Sequence, residues 1–460
     1  MDVSSTSRTI FFIFFCACIA CASPVPSTEI VSSHTPRAHD ETCDSLTRCR
    51  TTWSIVWTCF TTTIACIWVS VHPNIPAAND SEWTVRWRKV GLASLVFMAP
   101  EYIVMLAFNQ WQSARRLVAS ECRWKSFIVT NVADASLADP NSKTDHPLTL
   151  THAYFLIMGG FTVRVNDDPE YQYVLTGDDL DKKLVDDSNN ECALIRDLIC
   201  LVKVAQLKDR SKGDVISKGL AALQAGWFIL SCITRWASHL SLTELEISTL
   251  AFAIVSLALY ILWWDKPQSV GIQTLIHSSL KLVDKTFKEE DQGGQMTLLL
   301  VAPLANSPRA DWRTQSRVPS MWWTDLKANS SKSSWDARRV FIPSAIIGLF
   351  FGAVHCIAWN FYFPTIMERT LWRVCAVAVG IGPALVLILM SIILFLNGND
   401  VENIAYSILS SLFVALGLIL PYLSFFIARI GLLVLSLMAL RDIPSSAYQT
   451  VPWLSYIPHI

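Results

Sequence analysis

Ser211 to Val270 reads SKGDVISKGLAALQAGWFILSCITRWASHLSLTELEISTLAFAIVSLALYILWWDKPQSV, and its reading decides the fold. Two apolar runs, about Gly219 to Ser238 and about Leu245 to Trp264, flank a short polar turn. Each is close to the ~20 residues a helix needs to cross a ~30 Å hydrocarbon layer. Lys212 and Lys218 precede the pair, and Asp265-Lys266-Pro267 ends it. Pro267 cannot continue a helix, and Trp263 and Trp264 suit the headgroup layer, where a ring is half wet. The stretch predicts a transmembrane hairpin.

Working outward, the rest of the chain has the same character. Over 460 residues, 52% are hydrophobic and only 16% charged, too apolar for an ordinary soluble protein. Trp53, Trp68, Trp111, Trp236, Trp263, Trp264 and Trp372 fall near the ends of apolar runs, as an interfacial belt would place them. The net charge of −1 gives no bulk attraction to nucleic acid, so the partner expected is the lipid bilayer. Further spans are predicted at Trp53–Val71, Gly91–Trp111, Phe341–Phe363, Val374–Leu396 and Ile404–Ile427, making seven with the hairpin. Leu432 to Leu440 is too short to cross alone. The fold class expected is all-α membrane, a polytopic bundle of about seven transmembrane helices with a small α/β extra-membrane subdomain.

The expected organisation follows in order. Residues 1–22 read as a secretory signal, with Arg8, an apolar run and Ala20-Cys21-Ala22 as a cleavage site. Residues 23–51 form a polar arm and 52–111 the first two spans. Residues 112–214 hold the subdomain, in which Phe161–Val165 and Tyr171–Leu175 alternate as a β-hairpin and Glu191–Leu207 is an amphipathic helix. Residues 215–270 are the central hairpin. In 271–340, Ile272–Lys288 reads as a surface-lying helix followed by loop. Three spans fill 341–440, and 441–460 is a tail. Seven crossings put the N- and C-terminal segments on opposite sides. That arrangement leaves the sequons Asn79-Asp-Ser and Asn329-Ser-Ser on opposite sides too, and an odd thiol among Cys122, Cys192 and Cys200 outside.

Several motifs carry a resemblance: SKGD, LxxLQxGWF, the TELE run and WWDKPxxV, with WSIVWTCFTTTIACIWVSVHPNIP at 53–76, THAYFLIMGGF at 151–161, GAVHCIAWNFYFPTIMERTLWR at 352–373 and SLMALRDIPSSAYQTVPWLSYIPHI in the tail. Together these resemble a family of uncharacterised multi-spanning membrane proteins of filamentous and mushroom-forming fungi. The resemblance implies the architecture and brings no activity with it.

Few residues stand out chemically. Pro100-Glu101 lies in the middle of the second span, where a proline kinks a helix and a carboxylate must be neutral, paired or watered. His355 lies inside the fifth span, one turn before Trp359; it serves a proton relay, a metal or a pH response, or it bonds a neighbouring helix. Arg235, Glu244 and Glu246 at the hairpin turn, and Glu368 with Arg373 beyond Pro364, are candidate helix-end ion pairs, read against a role in binding cargo. Cys43 and Cys49 pair in an oxidising compartment and otherwise stay reduced. His239 and Glu244 have an H-x4-E spacing without a companion motif, and neither phosphate-loop, zinc-protease, nucleophile-elbow nor Rossmann patterns occur. No catalytic, cofactor or metal set is predicted. Three roles are open: transport or channel-like, resting on Glu101 and His355; structural or scaffolding; and membrane-embedded enzyme.

Overall fold

The computed structural model describes residues 49–77, 80–131, 148–165, 172–175, 199, 207, 212–278, 318, 333–397 and 404–451. Its helices are α1 (Thr52–Ser70), α2 (Glu82–Met98), α3 (Pro100–Asn131), α4 (Leu150–Ile157), α5 (Lys212–Ala237), α6 (Glu244–Leu262), α7 (Ser333–Cys356), α8 (Ile366–Asn397) and α9 (Ile404–Met438). Six of them are long and apolar enough to cross a membrane, with α2 and α3 as a bent pair. The signal segment, Cys43, most of 177–207 and the last nine residues lie outside the described residues.

The expected hairpin is α5 and α6. Thr243 caps α6: its hydroxyl accepts from the Glu246 amide, and the Glu246 carboxylate returns the bond to the Thr243 amide, at 2.9 Å. Against the hairpin lies α1, tied by Gln224 Nε2 donating to Thr62 Oγ1 (3.0 Å) and Tyr260 OH to the Cys66 carbonyl. On its outer face α1 presents Trp53, Trp57, Phe60, Ile64 and Trp68, an exposed apolar stripe along its whole length. At the other side of the bundle α7 and α8 touch backbone to backbone, because Gly352 faces Gly380 and a Cβ at Gly352 would collide with the Gly380 main chain.

Two expectations need correcting. Gly91–Trp111 is not one kinked helix: α2 and α3 meet at Ala99 with a bend of 112°. Pro100 is the first residue of α3, where its missing N–H costs nothing, so it starts a helix instead of kinking one. Ile272–Lys288 is not a helix from its start, since Thr274–Ser278 is a strand, β3. It pairs in parallel with β1 (Phe161–Val165), which pairs antiparallel with β2 (Gln172–Val174), giving the order β2-β1-β3. The hairpin around 161–175 is thus present and draws a strand from the second long connection. Leu432–Leu440, too short to cross alone, extends the last helix, since α9 runs unbroken to Met438.

The bundle has two distinguishable ends. At one, Cys49 bridges Gln449, the Arg50 amide donates to the Tyr448 carbonyl (2.7 Å), and Tyr362 donates to Asp442. This tail end therefore holds the start of α1, the α5–α6 turn, the α7–α8 turn and the segment after α9. At the other, Lys266 Nζ donates to the His72 carbonyl (2.7 Å), Gln110 Oε1 (3.0 Å) and Asn74 Oδ1 (3.4 Å), while Lys218 Nζ donates to the Lys266 carbonyl. This lysine end holds the exits of α1 and α6, the start of α5 and both outer ends of the α2–α3 pair, with Lys89 over the Trp68 ring.

Candidate functional site: a buried charge centre at the bend

The bend at Ala99 carries Glu101 into the middle of the bundle. It sits in the first turn of α3, where the positive end of the helix dipole favours a carboxylate. Glu101 is 0% exposed, and Arg429 of α9 donates to its Oε2 from Nη2 at 2.6 Å. The guanidinium lies 3.9 Å from the Phe351 ring centre and 5.3 Å from that of Phe425, so two aromatic rings take the place of water around it. His355, one turn after Phe351, packs its ring 4.7 Å from that phenyl and 5.8 Å from Trp372.

The His355 tautomer follows from its partner. Nδ1 lies 2.8 Å from the Phe351 carbonyl, which can only accept, so Nδ1 carries the proton and Nε2 holds the lone pair. Trp372 Nε1 donates to the His355 carbonyl. His355 and Arg429 line one small cavity of about 30 Å³ with Phe97, Ser248, Phe252 and Phe351, room for about one or two waters. Around it the polar bookkeeping is incomplete: Glu101 Oε1 and Arg429 Nε and Nη1 have no partner among the described residues. Buried charged groups left so are costly.

Glu101 and His355, singled out separately in the sequence, are thus neighbours of one guanidinium. Arg429 itself escaped sequence reasoning. Its signal is a lone arginine inside the apolar run 404–438, which reads as the end of a span when it is the charge the span delivers.

The helix-end candidates resolve differently. Arg235 meets neither glutamate and donates to the carbonyls of Ser241, Ala447 and Gln449 at 2.9, 3.0 and 2.7 Å. Glu246 takes Arg50 at 2.6 Å, and Glu244 is buried in the first turn of α6. Glu368 pairs with Arg441, while Arg373 donates to the Trp359 carbonyl and to Asn360 Oδ1. Cys49 is disulfide-bonded; Cys43, its expected partner, lies outside the described residues. His239 is exposed at the hairpin turn in the left-handed region, φ 57°. Among the described residues no three His, Cys, Asp or Glu side chains converge as metal ligands.

The lysine end holds a second buried network that the sequence marks only by its D-K-P. Gln110 Oε1 takes bonds from both Lys266 and Trp263 Nε1, and Lys266 lies over the Trp263 ring. Burial pushes the Lys266 ammonium down in pKa, with Lys218 adding repulsion; its three acceptors replace the water it has lost. His72 beside it is held well below the usual histidine range by burial first, then by Lys218, Lys266 and Lys89.

A family of unknown function, DUF8562, matches residues 26–285 and 337–460. The chain belongs to this family. The match spans both halves of the bundle, including the bend, the hairpin, Arg429 and the tail. No curated protein and no solved structure matches the chain.

Proposed function

We propose that the chain is a multi-pass integral membrane protein with a transport or channel-like role, centred on Glu101, Arg429 and His355. Six helices cross and the α2–α3 pair is re-entrant, entering and leaving at the lysine end. The observation that carries the reading is the Glu101–Arg429 pair, buried at mid-bundle with unfilled hydrogen-bonding positions, at the tip of a broken helix. Intramembrane charges on discontinuous helices are where transporters and channels handle their cargo.

Six crossings remove both difficulties that seven create. Residues 112–214 and 271–340 then emerge on one side, which puts Asn79, Asn329, Cys122, Cys192 and Cys200 together there. The disulfide at Cys49 supports a tail end in an oxidising compartment, and Arg86, Arg88 and Lys89 support a cytoplasmic lysine end. Flux and glycosylation test the two halves of the proposal. Purified protein in vesicles should pass a small solute, and Glu101→Gln or His355→Ala should change the rate; unchanged rates in both variants would remove the centre from the role. A glycosylation tag appended after Ile460 should be modified while Asn329 is not, and the reverse pattern would invert the orientation.

A scaffolding role is favoured by a different observation. The sheet joins strands from two long connections at the lysine end, and a domain assembled there could dock a partner. Glu101→Gln without effect on flux, together with loss of a bound protein when β3 is altered, would favour it.

A further inference from the structure

We infer that Arg429 is the binding residue for a small monovalent anion, halide-sized, which it takes up together with a proton on Glu101. The inference rests on the transport reading above. Three observations carry it. Arg429 is buried and spends one of its N–H groups on Glu101, leaving Nε and Nη1 without partners among the described residues. It lines the cavity at the bend, a largely apolar space to which only Ser248 and His355 add further polar side chains. And its guanidinium carbon lies over the Phe351 and Phe425 rings, which offer it no hydrogen-bond acceptor, so the unfilled N–H groups are left for an anion.

The coupling is a matter of charge balance. A guanidinium in this setting cannot stand alone, because nothing of higher dielectric surrounds it. In the resting state Glu101 supplies the negative charge. When the carboxylate takes a proton it becomes neutral, and Arg429 then needs another anion. Conversely an anion entering beside an ionised Glu101 meets a like charge. The two favourable states are therefore Glu101⁻ with no guest, and neutral Glu101 with one anion on Arg429. One H⁺ and one X⁻ enter together, and the net charge of the centre does not change. The cavity, sized for about one or two waters, admits a halide and excludes an amino acid or a sugar.

The groups that could compete for the proton are few among the described residues. On the elements packed against α3, His355 of α7 is the nearest titratable neighbour, and Nδ1 already donates to a carbonyl. Glu244 and Glu246 of α6 lie at the tail end, Lys89 of α2 at the lysine end, and His152 sits in its own capping box at the start of α4.

The test uses the full-length protein in phosphatidylcholine vesicles carrying a trapped pH dye and a trapped chloride indicator. An inward chloride gradient should acidify the lumen, about tenfold faster than the same gradient of gluconate, and clamping the voltage with potassium and valinomycin should not alter the rate. Glu101→Gln, neutral at every pH, should bind and pass chloride without proton movement, so its flux becomes voltage-dependent. Arg429→Gln should lose chloride dependence. A saturable component of tryptophan quenching by iodide in detergent, over the collisional quenching of the exposed rings and absent in Arg429→Gln, provides a binding measurement that needs no transport. If iodide quenching has no saturable component and chloride does not accelerate proton entry while another solute still moves in a Glu101-dependent way, this inference falls and the transport reading stands. If no solute moves at all, both fall.

Discussion

At the residue scale, the centre of the molecule is a bargain between desolvation and pairing. Glu101 and Arg429 have both left water, and each is tolerable only beside the other. Glu101→Met alone should therefore lower stability by about 3–5 kcal/mol, because it strands the guanidinium, whereas adding Arg429→Leu to it should recover most of that loss. Thermal unfolding in detergent across the four proteins of the cycle reads the coupling directly. His72 makes a second prediction, with a definite sign. Its folded pKa is depressed, so below about 6.5 the unfolded chain binds a proton that the folded protein refuses, and stability must fall as the pH drops through that window. His72→Phe should flatten that part of the stability–pH curve. A steeper fall in the variant would mean that the ring is charged in the native state.

At the element scale, what decides the architecture is where helices stop. Pro100 shows the limit of pattern reading. A proline in a twenty-residue apolar run is compatible with a kink in one helix or the first residue of a second, and the two differ only in whether Ala99 leaves the helical region. Ala99 does, at φ −149° and ψ 65°, and that one residue turns a single helix into two set at 112°. The central hairpin, by contrast, was legible to within a few residues. Its Thr243 box, apolar runs and Pro267 agree on the turn and the exit of the hairpin, while α5 starts earlier, at Lys212. The β3 strand was illegible for another reason: Leu275 and Ile276 fit a helical stripe as well as a strand, and only the neighbouring β1 edge settles the matter. Helix contact gives a further test. Gly352→Leu should force α7 from α8 at their closest point, lowering the melting temperature, while Gly226→Ala on α5, where a Cβ meets nothing within 4 Å, should leave it unchanged.

At the scale of the whole molecule, the candidate site was half visible. Composition exposes Glu101 and His355 because each is a polar residue in an apolar setting. Their convergence on Arg429 depends on helices more than 300 residues apart in sequence, |i−j| = 328 for the pair, and no local pattern encodes that. The parity of the fold was hidden in the same way, since it rests on long-range stitching of residues 49–50 to 446–449.

That stitching has a mechanical consequence. A chain whose first helix is clasped to its final segment is topologically a closed belt, and severing a belt once does not release its halves. Cleavage between Ser278 and Ser333 would leave the fragments held through Arg50 and Arg235 on the 446–449 carbonyls and through the charged pair at mid-bundle. Two separately expressed pieces divided there should copurify and regain the intact protein's unfolding profile. Adding Arg50→Ala and Arg235→Ala to the first piece should weaken the association, and adding Glu101→Ala as well should let the pieces drift apart.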